Sequence, residues 1–185
     1  YYEHDTDPLM SRTKNRPFAT GEVKHGPIWL VVIFGLMAVS VVAAWMALNA
    51  WAALFTFLGA FFYAIVYTVW LKRRTWLNIV FGGLAGSWAV LAGATAADPQ
   101  VGAVPLALAF VLFLWTPPHF WSLAIAFRDD YARAGVPMLP VVVGDARAAQ
   151  VIFASTVALV AASFIPLFFG LGAIYFVGAA LGGGL

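Results

Sequence analysis

Two carboxylates near the start of the chain have a spacing that suits metal binding. Glu3 and Asp7 are four residues apart, so on a helical turn their side chains share one face. Two neighbouring carboxylates repel each other unless water or a cation separates them. Oxygen ligands at this spacing favour Mg²⁺, which binds one or two carboxylates together with substrate phosphate and water. The alternative interpretation is a solvated helix end whose acids are stabilised by the helix dipole.

Basic residues follow this acidic pair directly. Arg12, Lys14 and Arg16 can meet the phosphate oxygens that a metal ion leaves uncovered, and arginine does so through two parallel hydrogen bonds. Acids for a metal ion and bases for an anion, side by side, predict a diphosphate site. In this interpretation Glu3 and Asp7 hold the metal, and Arg12 and Arg16 bind the diphosphate.

The whole chain has the composition of a membrane protein. Of its 185 residues, 63% are apolar and 10% are charged, and the mean hydropathy is +0.91, whereas soluble domains average about 25% charged residues. These values exclude a cytosolic globular enzyme, a disordered protein and a nucleic-acid-binding protein. The absence of cysteine excludes disulfides, thiolate metal sites and cysteine nucleophiles.

Long apolar segments predict an all-α, polytopic transmembrane helical bundle. About 20 mostly apolar residues cross the hydrocarbon core as a helix, and the sequence lacks the sustained alternation of a barrel strand. We expect one transmembrane domain over residues 1–185, truncated at both ends. The predicted spans are Ile28–Ala47, Ala52–Leu71, Trp76–Ala97, Val104–Phe127, Gln150–Phe169 and an incomplete span from Leu171 to Leu185.

The charges lie on one side of this topology. All ten Lys and Arg residues precede the first span or lie in the connections between the second and third and between the fourth and fifth spans. By the positive-inside rule this side is cytoplasmic. Seven of the eight acids lie on the same side, and Asp98 is the exception. Because acids contribute little to that rule, we expect these loops to form the active site; the alternative is that long loops are simply polar.

The first charged segment resembles the first acidic motif of the UbiA superfamily of membrane prenyltransferases. The residues that carry the likeness are Glu3, Asp7, Arg12, Thr13, Arg16 and Pro17. The usual motif is Asn-x-x-x-Asp/Glu-x-x-x-Asp, and its Asn would lie just before Tyr1. The resemblance implies that the acids hold Mg²⁺ on the diphosphate of an isoprenoid donor. It also implies a fold of nine helices, of which this chain has about six.

Two later loops extend the resemblance. Lys72 and Arg73 match the basic motif of the superfamily, which implies diphosphate binding or release; the alternative is a topology signal alone. Arg128 and Asp130 lie where a second acidic motif, Asp-x-x-x-Asp, is usual, although the acids here are displaced from its positions. We predict Asp130 as a second-site metal ligand and Arg128 as a diphosphate contact. The alternative is a capping cluster of mixed charges.

Three further segments are similar to the branch of the superfamily that modifies haem. They are Tyr67–Gly83, Trp115–Trp121 and Asp130–Pro140. The likeness implies farnesyl transfer from farnesyl diphosphate to the 2-vinyl group of haem B, which gives haem O for haem-copper oxidases. The expected partners are farnesyl diphosphate, haem B, the lipid bilayer, and haem A synthase or a terminal oxidase under assembly. We expect a bacterial inner membrane, with a mitochondrial inner membrane as the alternative.

His119 is the one ionisable residue deep within a predicted span. It lies nine residues before Arg128, about 13 Å along a helix, and follows Pro117-Pro118, where we expect a kink. Ionisable groups inside a membrane are functional by default. With haem as the acceptor, His119 is predicted as a catalytic residue, either an axial ligand or a base near the vinyl group. The alternative is a hydrogen-bonded structural histidine.

Other residues in the spans have mainly structural interpretations. Asn78 needs a hydrogen-bond partner, across helices or in a cavity. A small-residue face suited to close helix packing is formed by Gly82, Gly83 and Gly86. Three aromatic residues either face lipid or line a substrate cavity: Trp115, Phe120 and Trp121.

Two other functions remain open at this point. A related prenyltransferase that acts on an aromatic quinone precursor is disfavoured by the haem-type segments. A transporter would show polar residues along several helices or inverted repeats. The spans have His119 with a few hydroxyls and amides, and no internal repeat. We therefore favour an enzyme that works at the membrane interface.

Overall fold

The computed structural model describes residues 1–184, and their regular secondary structure is entirely helical. Five helices in this part of the chain are long and apolar enough to cross a membrane, which makes the protein a multi-pass integral membrane protein. The long helices are α1 (Ile28–Ala47), α2 (Ala50–Leu71), α3 (Asn78–Ala97), α4 (Ala103–Ala126) and α5 (Asp145–Ser163, continued by a 3₁₀ segment Ile165–Phe169), followed by the shorter α6 (Ala173–Gly184).

These helices confirm the predicted fold class and the predicted spans to within a few residues. The largest difference is at α5, which begins at Asp145 and not at Gln150. Gly144 adopts a φ of +82° before the helix, and an acid in the first turn is favoured by the helix dipole. The last predicted residue, Leu185, lies outside the described residues.

The long helices follow one another in space as they do in sequence. Each of α1 to α5 packs against the next, so α3 lies between α2 and α4, and α4 lies between α3 and α5. Two short helices, Arg128–Arg133 and Leu139–Val143, join α4 to α5 at the end of the protein that carries the charges. Residues 1–16 fold onto the same end. Met10 is buried there with Ile79, Trp121 and Tyr131 in an apolar core.

The second half of α2 is a π-helix, Phe62–Leu71, which hydropathy did not predict. Its wider turns are seen in two bonds to Tyr carbonyls five residues earlier, from the Thr68 hydroxyl at 2.8 Å and from the Lys72 amide at 2.8 Å. The segment carries the Tyr67 ring onto α3 at Gly82, where an added Cβ would lie 2.9 Å from the ring. Long π-helical segments are rare and often mark functional sites.

The small-residue face of α3 packs closely, as predicted. A Cβ added to Gly83 would lie 3.0 Å from the Thr116 side chain, and one added to Gly86 would lie 3.3 Å from Leu112. The close approach lets the buried Ser87 hydroxyl donate a hydrogen bond of 2.8 Å to the carbonyl of Ala109. Van der Waals packing and such cross-helix bonds are the main forces between helices in a membrane.

We expect Gly83→Val to destabilise the protein by about 1–3 kcal/mol, the usual cost of overpacking a close contact. Gly93 lies on the same helix with no atom within 4 Å of an added Cβ, so Gly93→Val is the matched control. Thermal unfolding of the two variants of the full-length protein in detergent would measure the difference. Equal melting temperatures would contradict the close α3–α4 contact.

Candidate diphosphate and metal site

Residues 1–16 bring the two predicted metal ligands onto one turn. The Asp7 amide donates to the Glu3 carbonyl at 2.8 Å, so the two side chains are one helical turn apart. The Thr13 hydroxyl donates to the Asp7 carbonyl at 3.0 Å and folds the basic half of the segment back over the acidic half. Thr13 and Asp7 are both buried in this fold.

This turn forms one wall of a small pocket at the charged end of the helices. Five predicted site residues contribute to the pocket: Glu3, Asp7, Arg12, Arg16 and Lys72. The remaining lining residues are Thr6, Met10, Thr13, Tyr131 and Val136. The pocket therefore combines acidic, basic and apolar side chains around a volume of about 20 Å³.

Opposite charges in the pocket pair with each other. Arg16 Nη1 donates to both carboxylate oxygens of Asp7, at 3.1 and 3.3 Å. Lys72 Nζ donates to Glu3 Oε1, and both side chains are about one-fifth exposed. Glu3 and Asp7 are therefore each bound to a cation that is predicted to bind diphosphate.

The carboxylates fit Mg²⁺ by their chemistry. Glu3 and Asp7 offer oxygen atoms from one turn to one pocket, and Asp7 is only 7% exposed. Within residues 1–184, no group of three or more His, Cys, Asp or Glu side chains could hold a metal ion. Two carboxylates with substrate phosphate and water are nevertheless the usual ligand set for Mg²⁺, which seldom has an all-protein cage.

The position of Lys72 is set by its backbone. The Asn78 side-chain amide donates to the Lys72 carbonyl at 3.1 Å, while its buried Oδ1 accepts no hydrogen bond from the described residues. The ammonium lies 5.7 Å from the centre of the Tyr67 ring, a distance at which cation–π attraction acts. These two contacts hold the backbone and the ammonium of Lys72 in place at the end of α2, next to the pocket.

Arg73 points to a partner that the sequence interpretation missed. Its guanidinium donates two parallel hydrogen bonds to Asp5, at 2.8 and 2.6 Å. It also donates to the Thr6 hydroxyl at 3.4 Å and lies 5.4 Å from the centre of the Tyr2 ring. The hydrogen bond from Arg73 lowers the pKa of Asp5 from 3.8 to about 2. Arg73 fastens residues 1–16 to the loop after α2, and a diphosphate contact from it stays a prediction.

Asp130 holds the same segment from the other side. Its buried carboxylate accepts the Ser11 amide at 2.8 Å and the Ser11 hydroxyl, and it also accepts a bond from Arg133. The hydrogen bond from the Ser11 hydroxyl holds the pKa of Asp130 below its ordinary value, against the opposing effect of burial. Asp130 does not line the pocket of Glu3 and Asp7; its role as a metal ligand stays a prediction.

Arg128 lies in a second, larger cavity of about 530 Å³. Charged side chains around it are Arg128, Asp129, Asp130, Arg133 and Asp145, and Ser11 also contributes. Arg128 Nε lies 3.6 Å from Asp145 Oδ1, a separation too long for a direct hydrogen bond. Arg128 does not line the pocket of Glu3 and Asp7, and a diphosphate contact from it stays a prediction.

His119 lies on an exposed face of α4. Its ring stacks on Trp115, with 4.2 Å between centres and 17° between planes, and meets Phe120 edge to face. No side-chain hydrogen bond of His119 is present among residues 1–184, so the structure gives no support to a hydrogen-bonded structural histidine. Trp121, by contrast, is buried against Trp76 in the apolar core.

We expect the Asp5–Arg73 pair to contribute fully above pH 3.8 and to weaken as the pH falls towards 2, because the folded pKa lies below the ordinary one. At neutral pH, Asp5→Asn should lower the hydrogen-exchange protection of residues 1–16 by less than about tenfold, as for other partly exposed pairs. Glu22, which is exposed, offers Glu22→Gln as the control. Equal protection in Asp5→Asn and wild type at pH 7 would contradict a stabilising pair.

Comparison with known proteins gives relatives with one function in their names. The chain is 60% identical over 184 residues to protoheme IX farnesyltransferase 2 of Paramagnetospirillum magneticum, covering the whole chain and 64% of that relative. It is 52% identical to protoheme IX farnesyltransferase 1 of the same organism, over 98% of the chain and 64% of the relative. A protoheme IX farnesyltransferase of Cenarchaeum symbiosum is 45% identical, with 100% and 62% covered.

The chain spans a little under two thirds of the length of these relatives. No solved structure matches it. The family model of UbiA prenyltransferases matches residues 1–185, which is the full length of the chain. With this match and these relatives, the chain belongs to the UbiA prenyltransferase family.

Proposed function

We propose that the protein to which this chain belongs transfers a farnesyl group from farnesyl diphosphate to the 2-vinyl group of haem B, and so makes haem O. The observation that carries the proposal is the pocket in which Glu3 and Asp7 lie beside Arg12, Arg16 and Lys72. The names of the relatives, which are protoheme IX farnesyltransferases, supply the acceptor and the length of the isoprenoid.

Glu3 and Asp7 would hold Mg²⁺ in this pocket. The bound ion would neutralise charge on the departing diphosphate. Glu3 and Asp7 now satisfy Lys72 and Arg16, so a metal ion that takes the carboxylates would release both cations for the phosphate oxygens. Arg12, which lines the same pocket, adds a third cation. The pocket can therefore bind its substrate by exchanging partners, with little change in net charge.

The cationic side chains stabilise the charge that develops during the reaction. The allylic C–O bond breaks, its electron pair leaves with the diphosphate, and Arg12, Arg16 and Lys72 stabilise the departing anion. The vinyl π-electrons of haem then form a bond to C1 of the farnesyl cation. Water adds to the new cation and loses a proton, which leaves a hydroxyethylfarnesyl group. Met10 and Val136 line the pocket with apolar surface, which limits premature attack by water.

The charged end of the helices faces the cytoplasm in this proposal. All ten Lys and Arg residues lie in the segments at this end or in the first turn of α5, as the positive-inside rule requires of a cytoplasmic surface. A bacterial inner membrane is the proposed location. Haem A synthase or a terminal oxidase is the proposed recipient of the product.

The first experiment tests turnover. The full-length protein in membranes would receive haem B, farnesyl diphosphate and Mg²⁺, and the extracted haem would be analysed by mass. We expect a product heavier than haem B by a farnesyl group and one hydroxyl group. Prenylation of an aromatic acid in place of haem would show that the acceptor is a quinone precursor. Absence of any product from a folded, inserted protein would favour the transporter.

We expect Asp7→Ala to lower the rate of farnesyl transfer by about a hundredfold or more, the scale at which loss of a preorganised electrostatic group acts. Membrane insertion should be unchanged, because Asp7 lies outside the membrane-spanning helices. Glu22→Gln, on the same side of the membrane, is the control and should keep wild-type turnover. Near-normal activity of Asp7→Ala would contradict the metal assignment.

A further inference from the structure

We propose that the 530 Å³ cavity and the exposed face of α4 beneath it form the acceptor site for haem B. In this arrangement Arg128 and Arg133 bind the two propionates, and the imidazole of His119, which stacks on Trp115, meets the macrocycle. The inference rests on the proposed function, since it takes haem as the acceptor. It gives these four residues a role apart from the binding of diphosphate.

The cavity is separate from the diphosphate pocket. Among the described residues, the two share no lining side chain. The wall between them is the part of the N-terminal segment around Ser11: Ser11 lines the cavity, and its neighbours Met10 and Arg12 line the pocket. The bonds from Ser11 to Asp130 fix this wall. The pocket and the cavity therefore adjoin at Ser11, so two substrates can bind next to each other.

Arg128 and Arg133 can each leave their present carboxylate partner for a ligand with little loss of stabilising interaction energy. Arg133 is 60% exposed, and its partner Asp130 keeps two hydrogen bonds from Ser11 if Arg133 leaves. Arg128 and Asp145 are 44% and 51% exposed and separated by 3.6 Å, and exposed pairs of this kind contribute little. Each guanidinium can bind one carboxylate through two parallel bonds. The cavity thus offers two clamps for a ligand with two carboxylates.

The exposed face of α4 leads from this cavity towards the membrane interior. Ala126 lines the cavity, and it lies seven residues after His119, which is two turns along the same face and a rise of about 10 Å. Trp115, His119, Ser122 and Ala126 are all exposed, whereas Pro118 and Trp121 on the other side are buried. The rings of Trp115 and His119 stack on each other at the end of this face that lies nearer the membrane interior.

A ligand that matches these features is flat and apolar, has two carboxylates at one edge, and accepts an imidazole at its centre. A metalloporphyrin with two propionates has this chemistry. A linear isoprenoid diphosphate does not, because its charge is at one end and it has no centre for imidazole. An aromatic acid has one carboxylate and would leave the second arginine without a partner. The geometry therefore favours haem B.

Titration of the full-length protein in nanodiscs with protohaem, followed by Soret absorbance, tests the site without turnover. The variants are Arg128→Gln/Arg133→Gln and His119→Ala, with Arg147→Gln as the control, because Arg147 is exposed at the same end but does not line the cavity. Protohaem dimethyl ester, in which both propionates are blocked, is the matched ligand. Binding of farnesyl diphosphate with Mg²⁺ is measured in parallel.

We expect the double variant to bind protohaem roughly 10- to 100-fold more weakly, the cost of losing hydrogen bonds to charged groups. The ester should bind wild type equally weakly, and the double variant should not weaken it further. His119→Ala should lose the Soret signature of axial imidazole, and the affinity for farnesyl diphosphate should be unchanged in both variants. Arg147→Gln should match wild type.

Several results would overturn the proposal. Unchanged protohaem affinity in the double variant would contradict the binding of the propionates by Arg128 and Arg133. An ester that binds as tightly as the free acid would contradict it too. If the double variant bound only farnesyl diphosphate more weakly, the two arginines would be assigned to diphosphate binding. An effect that appears only with anionic lipid would assign them to headgroups. Wild-type turnover by the double variant would overturn the acceptor site alone, whereas failure of the wild-type protein to make farnesylated haem would overturn the proposed function alone.

Discussion

The charged end of this protein depends on the attraction between its N-terminal segment and loops that are distant in sequence. Glu3 and Asp5 bind Lys72 and Arg73, which are 69 and 68 residues away, and Ser11 binds Asp130 across 119 residues. These bonds hold the wall between the pocket and the cavity. Partly buried polar networks are strong when all members are satisfied and costly when one is missing. Removal of any one of these bonds would therefore disturb both the pocket and the cavity.

The burial of Met10 adds an apolar component to this attachment. Its side chain is 6% exposed in a core with Ile79 and Tyr131, which belong to α3 and to the helix after α4. Apolar burial has no direction, so it holds the segment down but leaves its orientation open. The directional hydrogen bonds to Asp5 and Asp130 supply that orientation. Apolar burial thus attaches the segment to the helices, and the hydrogen bonds set the direction in which Glu3 and Asp7 point.

Much of the fold could be predicted from the sequence, because the length of an apolar segment is tied to bilayer thickness. The bounds of α1 agree at both ends, and those of α3 and α4 differ by at most two residues. The acidic pair and its neighbouring bases were also predictable, since their spacing in sequence is their spacing on a turn. The partner of Asp5 was not, because spacing within a segment says nothing of what another loop brings to it.

Other features lay beyond sequence reasoning for similar reasons. Arg128 and Asp130 both line the large cavity, but only Asp130 binds Ser11 of the N-terminal segment. Hydropathy places His119 inside the membrane but cannot say which side of α4 is covered by neighbours. The exposure of His119 next to Trp115 follows only from the packing of α3 and α5 on the opposite side of that helix.

The π-helical half of α2 has a consequence for how this protein can vary. A π-helix takes more residues per turn than an α-helix, so the segment Phe62–Leu71 turns through a smaller total angle than ten α-helical residues would. Relaxation of all ten residues to α-helical geometry would rotate Lys72 about the helix axis, away from Glu3, although the membrane would still be spanned. A substitution that favours the α-helical form would thus displace Lys72 even where the hydrophobicity of the segment is kept.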